Sequence, residues 1–283
     1  MKRKKKRKIK WSSFMLLLVF FVGLSVMLYP TISSYWNSRT QSQAIVDYQK
    51  MLDSIPEEDY TKLFEEAHSY NKKLSSLDFP LLDFSKIDGY FDILDISKTG
   101  MLGYITIDVI GLELPVYHGT DNDVLSHAVG HLQGSSIPVG GKGTHAVVSA
   151  HRGLPTATLF TNLDHLEIGD IFTFTILDQK VTYQVDQIKT VEPTDTTDLH
   201  IEADKDMCTL LTCTPYGINT HRLLVRGSRI ETKEQKTIYI TSDAHQIEPL
   251  IVTPVVALPI LLVLIIIVLF KPIKKDDLGD DLD

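Results

Sequence analysis

Two stretches of the chain are predominantly apolar and of membrane length, Trp11–Pro30 and Leu250–Phe270, and neither contains a charged residue. A helix needs about 20 apolar residues to cross the hydrocarbon core of a bilayer, so both stretches are predicted to span a membrane. For the first, a cleavable signal peptide is the alternative. The residues that follow Pro30 show no clear small-x-small cleavage site, which favours an uncleaved anchor.

Between these stretches the pattern changes from helical to strand-like. Gln41–Ile55 and Glu57–Leu74 have helical character, and the intervening Pro56 is a residue favoured at the first position of a helix. From about Gly103, short β-branched or alternating runs are separated by Gly, Pro and Asp, which is typical of strands and turns. The predicted strands are Tyr104–Val109, Leu114–Tyr117, Thr144–His151, Ile171–Leu177, Val181–Val191, Met207–Cys213 and Arg222–Ile230.

These elements predict a mostly β protein, in which a closed, antiparallel-rich barrel follows a helical N-terminal extension and two transmembrane helices flank both. The chain of 283 residues therefore holds one domain between two membrane spans. The predicted segments are a basic tail at 1–10, an anchor at 11–30, the helical extension at 31–100, the barrel at 101–231, a linker at 232–249, a second span at 250–270 and a tail at 271–283.

Charge sets the predicted orientation of the two spans. Eight of the first ten residues are Lys or Arg, and Lys271, Lys274 and Lys275 directly follow the second span. Basic residues beside a span stay in the cytoplasm, so both termini are predicted inside and the domain outside. The whole chain has a formal net charge of −8, and the part between the basic ends is more acidic still. This argues against nucleic acid as a partner, although an ordinary solvated surface has the same signature.

The only two cysteines, Cys208 and Cys213, lie five residues apart in one predicted strand. Five strand residues span roughly 16 Å, whereas a disulfide needs Cα atoms within about 7 Å. An odd offset also places the two side chains on opposite faces of the strand. The sequence therefore predicts that at least one thiol is free in an exported domain.

Cys213 is the better candidate for a reactive thiol, because Pro215, Gly217 and Asn219 end its strand and turn the chain away. Cys208 lies in the middle of the run and is expected in the core. A free thiol in an exported protein is often catalytic. The alternative is that both cysteines are small buried hydrophobic side chains.

A cysteine nucleophile needs a base or ion-pair partner and a group that stabilises the developing oxyanion. His145 and His151 stand at the two ends of one predicted strand, and His221 and Arg222 open another. Only turn residues separate Cys213 from Arg222, so the two strands are expected to form a hairpin that brings the guanidinium near the thiol. Spacing alone leaves all three histidines open as the base.

Three motifs resemble those of one family, the sortases. Thr209–Cys213 reads Thr-Leu-Leu-Thr-Cys and matches the Thr-Leu-x-Thr-Cys signature of sortases, and Ser149–Gly153 is similar to the histidine segment of that family. Arg222, nine residues after the cysteine, falls at the position of the family's arginine. The resemblance covers about Gly103–Ile230, and it is strongest to the pilus-assembling class C branch, whose members typically carry an additional C-terminal span.

The resemblance implies a sortase-type β-barrel and a cysteine transpeptidase on the outer face of a Gram-positive membrane, with Cys213 as nucleophile, His151 as acid and base, and Arg222 as the group that stabilises substrate and oxyanion. The implied substrates are pilin or surface proteins with an LPXTG-like sorting signal, cleaved between Thr and Gly through a thioester. The implied acceptor is a pilin lysine or the amine of a peptidoglycan precursor. The implied chemistry uses no cofactor, and no metal-ligand spacing occurs in the sequence.

Two expectations about neighbouring residues accompany this assignment. Thr212 is expected to orient Arg222 by a hydrogen bond. Class C sortases often carry a lid with an Asp-Pro-aromatic motif, whereas the corresponding region here, a possible lid loop at 77–90, has its proline displaced. Either this region is an ordinary loop, or Asp78 or Asp83 pairs with Arg222 while Phe79 or Phe84 covers Cys213.

Three other functions stay open at this point. A sortase could attach surface proteins to peptidoglycan precursor instead of polymerising pilins. A secreted cysteine protease would release an acid product even in the presence of amines. A membrane-tethered scaffold or adhesin would contain an inert, buried thiol.

Overall fold

The computed structural model describes residues 11–232. The predicted second span at 250–270, both tails and the linker beyond residue 232 lie outside the described residues. Among the described residues, 32–232 belong to one compact unit that does not include residues 11–31. Within the described residues, one helix is long and apolar enough to cross a membrane by length and composition, over Leu17–Leu52.

Two long helices form the predicted N-terminal extension. Helix α1 spans Trp11–Leu52 and helix α2 spans Glu57–Leu74, as expected for a helix that begins after Pro56. The sequence predicts a span and a separate helix from Gln41, but α1 is continuous through Pro30. No glycine or proline follows Pro30 before residue 56, so no residue there favours a helix end.

Within residues 11–232, eight strands follow α1 and α2, and they confirm all seven predicted strands with small changes at their ends. The additional strand, β3, has three residues. The strands are β1 (Met101–Ile107), β2 (Leu112–His118), β3 (Val129–His131), β4 (Thr144–Ser149), β5 (Ile171–Ile176), β6 (Gln179–Val191), β7 (Asp206–Thr214) and β8 (His221–Arg229). A short helix α3 (Pro80–Asp83) precedes β1, and another, α4 (Asn122–Leu125), lies between β2 and β3.

The strands close into a barrel in the order β1-β2-β3-β4-β7-β8-β6-β5. The pairs β2–β3 and β4–β7 are parallel, and the other pairs are antiparallel. The predicted closed, mostly antiparallel barrel with a helical extension is therefore confirmed. Because β4 and β7 run parallel, their C-terminal ends meet at one edge of the barrel, which is where the predicted catalytic residues fall.

The two faces of β4, β7 and β8 bury different side chains, because neighbouring strand residues point to opposite faces. One face carries Cys208, Leu210, Leu223 and Val225 into the main core. The opposite face carries an apolar group that we call the outer cluster. Its members are Val147, Val191, Leu199 and Leu224, with Leu81, Leu132 and Leu211 packed against them.

Buried polar contacts hold the extension to the barrel. The Tyr48 hydroxyl donates to the Leu102 carbonyl oxygen at 3.1 Å and accepts from the Leu177 N–H at 2.9 Å. The Asn71 side chain donates to the Ile137 carbonyl at 3.0 Å and accepts from its N–H at 2.8 Å. Such pairs satisfy backbone groups that the closed ladder leaves unused, and they fix the helices in one position.

Candidate active site

Cys213 and Arg222 lie opposite each other near the turn between β7 and β8. They are Cα partners in the antiparallel ladder, one step from the Thr214–His221 pair. Directly opposed residues place their side chains on the same face at about 4.5–5.5 Å between Cβ atoms. Both residues are half-buried. The predicted proximity of the guanidinium to the thiol thus has a structural basis.

His151 reaches the same edge from the other side of β7. In the parallel pair, Ser149 is opposite Leu211, and the Ala150 N–H still donates to the Leu211 carbonyl at 3.2 Å. The ladder ends two residues before His151 and two before Cys213, so both residues lie at the same edge of the barrel. The ends of β4, β7 and β8 therefore bring His151, Cys213 and Arg222 to one edge of the barrel.

The other two candidate bases occupy unsuitable positions. His145 is fully buried, and its nitrogens lie 2.8 Å from the His200 carbonyl oxygen and 2.8 Å from Thr209 Oγ1. It pairs with Met207, six residues before Cys213 on β7. His221 is exposed and, as the neighbour of Arg222 on β8, it points to the opposite face. The geometry therefore favours His151 among the three.

The Arg222 side chain folds against the turn that precedes it. Its Nη1 donates to the Asn219 carbonyl oxygen at 3.4 Å and to the His221 carbonyl oxygen at 3.1 Å. Within the described residues, no carboxylate forms an ion pair with this guanidinium. Among the described hydrogen bonds, only Nη1 of this guanidinium has a partner.

The prediction of a hydrogen bond between Thr212 and Arg222 is wrong. The Thr212 side chain is buried, and its hydroxyl donates to the Ala150 carbonyl oxygen at 2.8 Å. The physical reason is strand alternation. Cys213 and Arg222 share one face, so the side chain of Thr212 points to the other. Thr212 instead links the end of β7 to the segment that leads to His151.

The region predicted as a lid forms a helical turn and contacts the site's face of the barrel. Leu81 in α3 packs against the outer cluster, which includes Leu211 and Leu224, each two residues along its strand from the predicted catalytic pair. A Cβ atom at Gly134 would lie 2.9 Å from Leu81 Cα, so the segment and the barrel loop are in close contact. The segment thus packs on the same face of the barrel as Cys213.

The specific lid contacts expected from the sequence are not formed. Asp83 pairs with Lys86 at 2.9 Å, because the turn that begins at Pro80 aligns them three residues apart. Neither Asp78 nor Asp83 pairs with Arg222 among the described contacts. Phe79 is 61% exposed, and Phe84 lies against the Gly134 loop. Leu81, which the sequence analysis did not single out, makes the contact with the barrel face.

The two cysteines differ in environment as predicted. Both are free thiols, and Cys208 is fully buried whereas Cys213 is half-buried. Burial raises the pKa of the Cys208 thiol well above its ordinary value, with a further contribution from Asp206. Cys208 is therefore a poor nucleophile, as a core thiol should be. No group of His, Cys, Asp or Glu within residues 11–232 is arranged to hold a metal ion.

Comparisons with known proteins agree with this geometry. A family profile described as the sortase domain matches residues 105–230. Sortase C1 from Streptococcus agalactiae is 47% identical, with a TM-score of 0.62 over 68% of this chain and 100% of that one. Sortase C from Streptococcus pneumoniae, whose structure is described as informing catalysis and pilin substrate specificity, is 43% identical, with a TM-score of 0.61 over 67% of this chain and 97% of that one.

A more distant similarity covers less than half of the chain. Sortase D of Bacillus subtilis is 31% identical over 131 residues, which is 45% of this chain and 63% of that relative. The matched profile, over residues 105–230, includes β4, β7 and β8, the strands that carry the candidate site. The likeness therefore includes the site as well as the scaffold.

Proposed function

The chain belongs to the sortase family of cysteine transpeptidases, and from this premise we propose that it cleaves an LPXTG-like sorting signal between Thr and Gly and transfers the acyl group to a pilin lysine. The observation that carries the proposal is the opposition of Cys213 and Arg222 across β7 and β8, with His151 two residues beyond the end of the adjoining strand β4. A nucleophile, a proton carrier and a cation are the groups that acyl transfer needs.

The proposed first half-reaction forms a thioester. The Cys213 thiolate attacks the carbonyl carbon of the signal's Thr, and the negative charge that develops on its oxygen is stabilised by the Arg222 guanidinium. The C–N bond to Gly breaks as the His151 imidazolium donates its proton to the leaving nitrogen. The acyl group stays on the sulfur, which conserves the energy of the cleaved amide for the next step.

The second half-reaction consumes the thioester. An amine attacks the carbonyl carbon, and His151 accepts the proton that the amine loses. The C–S bond breaks, the Cys213 thiolate is restored, and a new amide joins the two proteins. With a lysine as the amine the product is an isopeptide, so repetition with subunits that carry both groups yields a polymer.

The choice of a pilin lysine rests on the similarity to class C sortases and on the predicted second span. A sortase that uses the amine of a peptidoglycan precursor is the alternative, and it differs only in the acceptor. We further propose a two-pass protein of the cell membrane, in contact with membrane lipid, with both termini in the cytoplasm and the barrel outside. The apolar part of α1 and the basic residues at 1–10 support the first of these spans.

The test offers competing acceptors to the full chain in lipid nanodiscs. An LPXTG peptide is supplied with a lysine-bearing pilin, with a peptidoglycan-precursor amine, or with water alone, and the products are identified by mass spectrometry. A peptide–lysine isopeptide supports the proposal, whereas transfer to the precursor amine alone favours the alternative. A protease would give the acid product in each of the two amine reactions. An unreacted peptide with an unreactive thiol indicates a scaffold.

A further inference from the structure

Arg152 follows His151 directly in the chain, and its side chain is only 8% exposed. Its guanidinium forms an ion pair with Asp164, and its Nη1 donates to Thr214 Oγ1 at 3.3 Å. Thr214 is the residue after Cys213. One buried side chain therefore joins the loop that carries His151 to the strand end that carries Cys213.

The same guanidinium also lies over an aromatic ring of the loop that follows β7. Its central carbon is 5.9 Å from the centroid of the Tyr216 ring, within the range of a cation–π contact. The ring packs in turn on Gly153, where an added Cβ would lie 3.0 Å from Tyr216 Cε2. Arg152 and Gly153 thus hold one side of the β7–β8 turn against the loop after β4.

These contacts use the planar shape of the guanidinium. Its separate N–H groups bond to Asp164 on one side and Thr214 on the other, while its face meets Tyr216. A lysine ammonium is a compact charge that can pair with the carboxylate but cannot make all three contacts from one position. The Arg152 Nε is buried with no hydrogen-bond partner. The contacts made thus outweigh the cost of one unsatisfied donor.

Resting on the function proposed above, we infer that Arg152 is a positioning residue, which sets the place of His151 relative to Cys213 through Thr214, Tyr216 and Asp164. Proton transfer and thiolate attack depend steeply on geometry, and a displacement of about 1 Å can cost about 100-fold in rate. The described contacts of Arg152 do not include Cys213 or His151, so its effect is indirect. Substitution of Arg152 should therefore lower kcat without weakening peptide binding.

The test measures kcat and KM for the LPXTG peptide with the full chain in nanodiscs, for wild type, Arg152→Met and Arg152→Lys. The matched control is Arg229→Met. Arg229 also lies 5.9 Å from a tyrosine ring centroid, that of Tyr183, and its Nε is 3.9 Å from Asp206, but it is at the far end of β8. We expect Arg152→Met to lower kcat by about tenfold or more with KM unchanged within about twofold, and Arg152→Lys to restore little of the loss.

Equal kcat values for Arg152→Met and Arg229→Met would overturn the inference, as would a loss confined to KM or full rescue by lysine. If Arg152→Met does not fold, Thr214→Val removes only the Nη1 acceptor, and it should lower kcat by about threefold at an unchanged unfolding temperature. An unchanged kcat in that variant would also overturn it. Failure of the proposed function looks different, since wild type itself would then transfer nothing and the inference would fall with it.

Discussion

Cys213 and Arg222 are directly opposed residues of β7 and β8. Their side chains lie on the same face of the barrel as Leu211 and Leu224 of the outer cluster. The backbone of Arg222 is therefore placed by strand register, and its guanidinium is held against the β7–β8 turn by the carbonyl oxygens of Asn219 and His221. Arg226 offers a comparison on the same face. It is opposite Thr209, and its Nε donates to Asp186 at 2.9 Å.

The first prediction compares these two arginines. Arg222→Ala should lower kcat/KM for the peptide by about 100-fold, since removal of one oxyanion-stabilising donor typically costs that much. Arg226→Ala removes a charge of the same sign from the same face, and it should change kcat/KM by less than about threefold. Steady-state kinetics in nanodiscs measures both. Similar losses in the two variants would mean that Arg222 acts through general electrostatics and not at the thiol.

The second prediction concerns α3, whose Leu81 packs on the face of the barrel that carries the candidate site. Leu81 packs against the outer cluster, whereas its neighbour Leu82 is 78% exposed. Leu81→Ala removes the packing that holds the segment down, so it should open more often and raise the rate of Cys213 alkylation at least about threefold. Leu82→Ala should leave that rate unchanged. The measurement is time-resolved mass spectrometry with a small alkylating reagent, and equal rates in wild type and Leu81→Ala would contradict a covering role.

The third prediction concerns Gly153, whose backbone has φ +76° and whose α-carbon faces the Tyr216 ring. Gly153→Ala should lower both stability and kcat, because the new methyl group both strains the backbone and displaces the ring. Gly100 is the control, since it has φ +80° and no atom within 4 Å of an added Cβ. Gly100→Ala should lose about 1 kcal/mol of unfolding free energy with kcat retained. A retained kcat in Gly153→Ala would argue against coupling between the two loops.

The fourth prediction concerns acid stability. His131 is fully buried, with Nε2 at 2.8 Å from the Ser136 carbonyl and Nδ1 at 2.9 Å from the Tyr90 hydroxyl. A carbonyl only accepts, so Nε2 carries the single proton of a neutral ring. Burial lowers the pKa of His131 to about 4. Burial also lowers the pKa values of His118 and His145.

The direction in which stability changes with pH follows from the protons that each state binds. Below pH 6.5 the unfolded chain protonates these histidines while the folded barrel does not, so the unfolded state binds more protons. Stability is therefore complete above pH 6.5, and it falls as the pH drops from there towards about 4, by about 3 kcal/mol for His131 alone. Thermal unfolding between pH 7 and pH 4.5 tests this. His131→Gln should flatten the dependence and the exposed His127→Gln should not, and parallel curves would contradict the assignment.

Much of the architecture could be predicted because its signals are local. Pro56 marks the start of α2, and the alternating runs gave seven strands within a few residues of their ends. Strand β3 was missed because Val129–His131 is too short for any periodicity, and its place comes from pairing with β2 and β4. The continuity of α1 was missed because a proline in a helical pattern normally indicates a break.

The site was less predictable than its motifs suggest. Spacing indicated Cys213 and Arg222 on one hairpin, but the choice among three histidines needed the parallel register of β4 with β7. The predicted hydrogen bond between Thr212 and Arg222 is incompatible with side-chain alternation, which the predicted strand already implied. The bond from Arg152 to Thr214 joins positions 62 residues apart and has no local pattern.

The most direct test of the account is whether Cys213 forms a thioester. The full chain in nanodiscs is incubated with an LPXTG peptide without amine, and the protein is digested and mapped by mass spectrometry. The account predicts an acyl adduct on Cys213 that hydroxylamine removes, that persists in Cys208→Ala and that is absent in Cys213→Ala. An adduct that survives in Cys213→Ala, or none in wild type while the peptide is still turned over, would contradict it.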